Sequence, residues 1–176
     1  QSGNIREVGN ELYQDMLNEA LEIARGEEMA HKEFSPIINL GLPVYISEEY
    51  IPDPALRIGI YRRVGDIASE AELENFTTEM QDRFGNIPQE MQNLLAVVRI
   101  KNICRKLNIE KLDLGAKGYV IKFRQQGNTN TDKLLQFMQN YPEAKIKPDN
   151  KLVVLHKSGK GDDVIHSTNQ LLAEIS

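Results

Sequence analysis

Tyr50-Ile51-Pro52-Asp53-Pro54-Ala55-Leu56-Arg57-Ile58-Gly59-Ile60-Tyr61-Arg62-Arg63-Val64 is the stretch from which the rest of the chain can be read. Asp53 can cap a helix whose first position is Pro54, because proline lacks the N–H that a first turn leaves unpaired. Leu56, Ile60, Val64 and Ile67 then recur at three- and four-residue spacing. They predict an apolar stripe along one side, with Arg57, Arg62 and Arg63 placed elsewhere. Ser69-Glu70-Ala71-Glu72 follows as a capping box, the Ser69 hydroxyl and the Glu72 carboxylate each answering an orphan donor at a helix start. This second helix is predicted to end at Gly85. Leu73, Phe76, Met80 and Phe84 should face its core, while Glu72, Asn75, Glu79 and Asp82 recur on a different side as an acidic row. Such a row is either solvated or a docking strip, since carboxylates one helical turn apart can accept charge-assisted hydrogen bonds from arginines.

Working outward, Asn86-Ile87-Pro88 makes a turn, and a third helix runs from near Pro88 to a stop at Asn108. Upstream, residues from about Ile5 to Lys32 read as one long helix, with Glu7, Glu11, Asp15, Glu19 and Glu22 along one side. Ile37 to Ile46 alternates as a strand, and Pro43, which cannot donate to a ladder, puts that end at a sheet edge or beyond the pairing. Downstream the character changes. Ile109–Leu114 and Tyr119–Phe123 read as paired strands, followed by a helix over Thr131–Asn140. Strands at Ala144–Lys147 and Lys151–His156, turned by Pro148-Asp149-Asn150, precede a last helix ending at Ser176. The expected class is α+β, an N-terminal helical portion followed by a small, mostly antiparallel sheet with packed helices.

The chain has 176 residues, 40% apolar and 27% charged, enough for a packed core and unlike a disordered tail. No apolar run reaches bilayer length and no signal-peptide core opens the sequence, so a cytoplasmic protein is expected. Cys104 is the only cysteine, which excludes an internal disulfide, and its apolar neighbours predict a buried hydrophobe. The net charge of −5 is unevenly placed: residues 1–98 carry 7 basic against 18 acidic side chains, residues 99–176 carry 14 against 8. The basic run Arg99, Lys101, Arg105, Lys106, Lys111, Lys117, Lys122 and Arg124 makes a nucleic-acid-binding module over 99–124 the alternative reading. Within it, Arg99, Lys101, Arg105 and Lys106 fall on one helix without forming a single row.

Catalytic chemistry finds no purchase. Gly159-Lys160-Gly161 is followed by Asp162 and Asp163, not by the Ser or Thr of a phosphate loop, and two carboxylates at a helix start repel phosphate. His31, His156 and His166 lack metal-ligand spacing, and no nucleophile elbow occurs. No catalytic residue, cofactor or metal is expected.

Tyr50–Arg57 with Tyr61-Arg62-Arg63, Ser69–Leu73, Asp82–Pro88, Leu94-Leu95, Arg99-Ile100-Lys101 and Lys106–Lys111 together resemble the C-terminal domain of bacterial transcription-repair coupling factors, the Mfd family. The resemblance covers almost the whole chain. It implies a linker helix over 1–35 following a motor lobe, then a regulatory domain over 36–176. An aromatic would be expected where Asn10 stands. It also implies a full-length ATP-dependent DNA translocase that displaces stalled RNA polymerase and recruits excision repair, this fragment itself lacking the ATPase motifs. The domain would dock on the N-terminal UvrB-like module of the same protein and mask the UvrA-binding surface. The family's contact carboxylates then fall on Glu79 and Asp82, with Glu72 and Asn75 alongside.

Overall fold

The computed structural model describes residues 34–156 and 163–176, together with Gln14, Leu17 and Asn18. The helix expected over Ile5–Lys32 lies outside the described residues except at those three, which are helical. Gly159-Lys160-Gly161 lies outside them as well. Two compact units are present: one spans Pro43–Val98, and the other combines Glu33–Leu42 with Arg99–Ser176. Among the described residues no helix is long and apolar enough to cross a membrane.

The first unit is helical. α1 (Pro54–Asp66) starts as its sequence dictates, Asp53 accepting a hydrogen bond from the Ala55 N–H at 3.0 Å with Pro54 in the first turn. α2 (Glu70–Phe84) is capped by Ser69, whose hydroxyl accepts from the Glu72 N–H at 3.2 Å. The Glu72 carboxylate accepts from the Ala68 N–H at 3.0 Å, one residue earlier than in the standard box. Gly85 closes the helix at φ 86°, a left-handed conformation that suits glycine. α3 (Gln89–Lys106) follows Pro88, and the boundary between the units falls inside it, after Val98. Ile60, Val64, Phe76, Met80, Met91 and Leu94 lead the unit's core, and Leu17 packs against it.

One expectation fails here. Arg57 was placed off the apolar stripe, yet it is 1% exposed. At 100° per residue it lies between Ile60 and Tyr61 and beside Val64, the middle of the buried face, whereas Leu56 lies at its margin. Burial of the charge is made tolerable by backbone acceptors: Nη1 donates to the Ile51 carbonyl at 2.6 Å and to the Pro52 carbonyl at 3.1 Å. Tyr50, at the head of the same segment, shares its hydroxyl between the Met80 and Gly85 carbonyls at 3.1 and 3.0 Å and sets its ring edge-on to Phe84. Tyr61 accepts from the Ile46 N–H at 2.6 Å. Tyr50, Arg57 and Tyr61 of the opening motif thus form a splice in which each fastens a loop to a helix.

The second unit is a five-stranded sheet in the order β1-β2-β3-β5-β4, built from β1 (Ile37–Asn39), β2 (Ile109–Gly115), β3 (Gly118–Phe123), β4 (Lys145–Lys147) and β5 (Lys151–Leu155). All pairings are antiparallel except β1 with β2, which is parallel. The α+β expectation holds, with a mixed sheet. α4 (Thr131–Asn140), α5 (Val164–Ile175) and the second half of α3 supply Phe137, Leu172, Ile100 and Cys104 to the core on one face of the sheet, against Leu112, Ile121 and Leu152. The strand predicted over Ile37–Ile46 stops at Asn39, because Gly41 turns the chain at φ 70° and Pro43 has no N–H for a ladder. Asn108 ends α3 at φ 60°, and its side-chain amide donates to the Arg124 carbonyl at 3.4 Å and to the Thr129 hydroxyl at 3.1 Å. Cys104 is fully buried, and burial pushes its thiol up to about 12.

Candidate docking surface on the second helix

The row predicted on α2 points outward, but its members differ in what they can offer. Asn75 and Asp82 are exposed and make no side-chain hydrogen bond or ion pair among the described residues. Glu72 is exposed, with one carboxylate oxygen engaged by the Ala68 N–H. Glu79 is not the free carboxylate that a docking strip calls for. Arg63 of α1 grips it in a two-pronged pair, Nη1 to Oε2 at 2.5 Å and Nη2 to Oε1 at 2.8 Å, and Arg83 adds Nη1 to Oε2 at 3.1 Å. A carboxylate has about four acceptor positions, so little remains for a newcomer. Both guanidiniums are also seated over aromatic rings, Arg63 at 5.2 Å from the Phe76 centroid and Arg83 at 4.9 Å from that of Phe84.

Those two arginines are the residues that sequence reasoning missed. Arg83 was legible, standing four residues after Glu79 in the favoured orientation for a helical ion pair. Arg63 was not, since only the packing of α1 against α2 brings it across. Hydrogen bonds from Arg63 and then Arg83 lower the Glu79 carboxyl to about 2. A depressed carboxyl stabilises the fold at pH above its unfolded value near 4.5, and this contribution disappears as pH falls through about 2. Following the Glu79 side-chain carboxyl carbon by NMR should show a midpoint near 2 in the parent chain, moving towards 4.5 in Arg63→Gln. An unmoved midpoint would disprove the pairing.

The basic residues singled out on α3 do not make a patch. Their helical positions put Arg99 and Lys106 on one side and Lys101 and Arg105 on nearly the opposite one. The Arg105 guanidinium is already engaged, donating from Nε to the Phe34 carbonyl at 3.3 Å and from Nη1 to Asn102 at 3.1 Å. Farther along, Arg124 lies over the Phe34 ring at 4.1 Å. A cleft in the second unit lined by Lys106, Phe123, Thr129 and Leu134 brings no second ionisable group to Lys106. Among the described residues, no three His, Cys, Asp or Glu side chains gather as a metal site would need.

Comparison with known proteins gives these features a context. The family model described as TRCF domain matches residues 40–134. The transcription-repair-coupling factor of Rickettsia conorii is 50% identical over 178 residues, covering 100% of this chain and 16% of that protein. Its counterpart from Escherichia coli is 31% identical over 147 residues, covering 81% of this chain and 13% of that protein. The chain thus spans about a sixth or less of the length of these relatives. A crystal structure of the C-terminal domain of a transcription-repair coupling factor shares the fold at a TM-score of 0.64 and 21% identity, over 81% of this chain and 94% of that one. The helix-then-sheet order and these matches agree, and the chain belongs to the TRCF domain family, the C-terminal domain of transcription-repair coupling factors.

Proposed function

We propose that this chain is the regulatory, non-catalytic domain of a larger bacterial protein of the cytoplasm, a DNA translocase driven by ATP that displaces stalled RNA polymerase and recruits excision repair. Residues 1–35 would link it to the motor, and residues 36–176 would dock on the N-terminal UvrB-like module of the same protein, hiding the surface that UvrA binds. The observation that carries this reading is the outward carboxylate of Asp82, exposed and without a partner among the described residues, one turn from Glu79. An arginine of the docked module pairs with Asp82 directly. At Glu79 it competes with Arg63 and Arg83, which shifts the weight of the contact towards Asp82 and Asn75. Tethering makes so small a set of charges sufficient, because linked modules reach effective concentrations in the millimolar range.

Asp82→Arg in the full-length protein should raise both UvrA capture and basal ATPase by several-fold while the domain stays folded. Glu79→Gln should do less, since that carboxylate is already taken by Arg63 and Arg83 and offers little to an incoming arginine. If Asp82→Arg leaves both readouts where they were, the docking reading is wrong.

A further inference from the structure

The face of the sheet turned away from its core carries a line of lysines. Lys111, Lys122, Lys151 and Lys147 stand opposite one another on β2, β3, β5 and β4, in unbroken register. With strands about 4.8 Å apart, they span about 14 Å. Leu112, Ile121 and Leu152 occupy the neighbouring register on the buried face, so alternation sends the lysines outward. Lys145 joins them two residues before Lys147, and both are exposed.

Like charges directly opposite one another weaken a sheet, so this alignment is unfavourable for folding. Carboxylates relieve half of it: Glu110 lies 3.1 Å from Lys122 and Asp113 lies 3.5 Å from Lys111. Lys145, Lys147 and Lys151 have no carboxylate partner among the described residues, and Asp149 in the β4–β5 turn pairs with none of them. Lysines on an edge strand discourage strand addition, which would account for β4. It does not account for Lys122 and Lys151, because β3 and β5 are interior strands.

We infer that this face binds the phosphate backbone of duplex DNA without regard to sequence. The aromatic residues of β3, Tyr119 and Phe123, are buried on the other face, which leaves no platform for stacking unpaired bases. Lysine acts on phosphate as a point charge and makes no bidentate reading of a base edge. Among the described residues the face also lacks the aromatic and arginine anchors around which protein interfaces concentrate their affinity. Repeated charge at regular pitch is what remains, and duplex DNA is its complement. The inference is independent of α2 and of the docking proposed there.

The 176-residue chain would be titrated into a short fluorescent duplex at several salt concentrations. Four phosphate contacts give a log–log salt slope of about −3.6, a loss of about a hundredfold in affinity from about 50 to 200 mM. Lys147→Gln with Lys151→Gln should bind at least tenfold more weakly at low salt and halve the slope to about −1.8. Lys101→Gln with Lys106→Gln should change neither. Relief of repulsion should leave the sheet variant melting at or above the parent temperature. A lower melting temperature would mark the row as structural and overturn the assignment. So would unaltered DNA affinity in the sheet variant, a flat salt response, or tighter retention of poly-glutamate than of DNA.

Discussion

Arg57→Ala should lower the unfolding free energy by about 3–5 kcal/mol, measured by urea denaturation followed through the helical circular dichroism signal. Two terms add. The buried Ile51 carbonyl and the part-buried Pro52 carbonyl lose the guanidinium that answers them at 2.6 and 3.1 Å, and an unanswered buried acceptor costs about 1–3 kcal/mol. The long side chain also leaves a void among Ile60, Tyr61 and Val64, its neighbours on the buried face of α1. Arg57→Met separates the terms: it refills much of the volume, answers neither carbonyl, and should remain about 2 kcal/mol below the parent. Glu48, 3.9 Å from the guanidinium with its side chain 79% exposed, is solvated either way and should be replaceable by glutamine within about 0.5 kcal/mol. A loss below about 1 kcal/mol in Arg57→Ala would mean that water reaches those carbonyls and that the splice holds nothing.

Gly118→Ala is the second large effect, and its interest lies in a contrast three residues away. At Gly118 φ is +146°, and a Cβ would stand 2.1 Å from the Val154 carbonyl oxygen, 2.6 Å from the His156 nitrogen and 2.9 Å from the Leu155 Cα. All three are backbone atoms of β5 and its continuation, so nothing flexible can move aside. Either β3 separates from β5 or the hairpin deforms, and the expected loss is at least about 3 kcal/mol. At Gly115 the nearest atom to an added Cβ is 3.9 Å away and the backbone is not left-handed. Gly115→Ala should therefore be neutral or stabilising by up to about 1 kcal/mol, through the unfolded chain. Thermal melts of the two variants compare them directly. Equal effects would contradict the close approach of β5 to Gly118.

Helix starts were readable because capping is local: Asp53 and Ser69 each satisfy a donor two or three residues on, with no help from the rest of the fold. Strand pairs joined by short turns were readable for the same reason, and β2 with β3 emerged nearly at their predicted ends. What escaped depends on distant chain. The stripe on α1 was centred off its true axis because Arg57 was placed outside it. Its seven-residue spacing to Val64 and four-residue spacing to Tyr61 did mark it as inward. The parallel partner of β1 could not be read from alternation, which reports which face a residue takes and never which strand lies beside it. On α2 the outward direction of Glu79 was foreseen, but its capture by Arg63 belongs to helix packing, where a sixteen-residue separation hides the pair.

The parallel pairing of β1 with β2 has a consequence for how the molecule assembles. Asn39 meets Asp113 across 74 residues of chain, and the Pro43–Val98 part of the helical unit lies between them in sequence. Neighbouring strands β2 and β3 can find each other quickly through a short turn, whereas β1 must wait on a long closure. As the chain leaves the ribosome, β1 is made first among the strands and seated after β2 exists, its Ile37 and Ile38 without a sheet in the interval. The inserted helices can fold as a unit of their own, so β1 is the strand whose seating should be slowest.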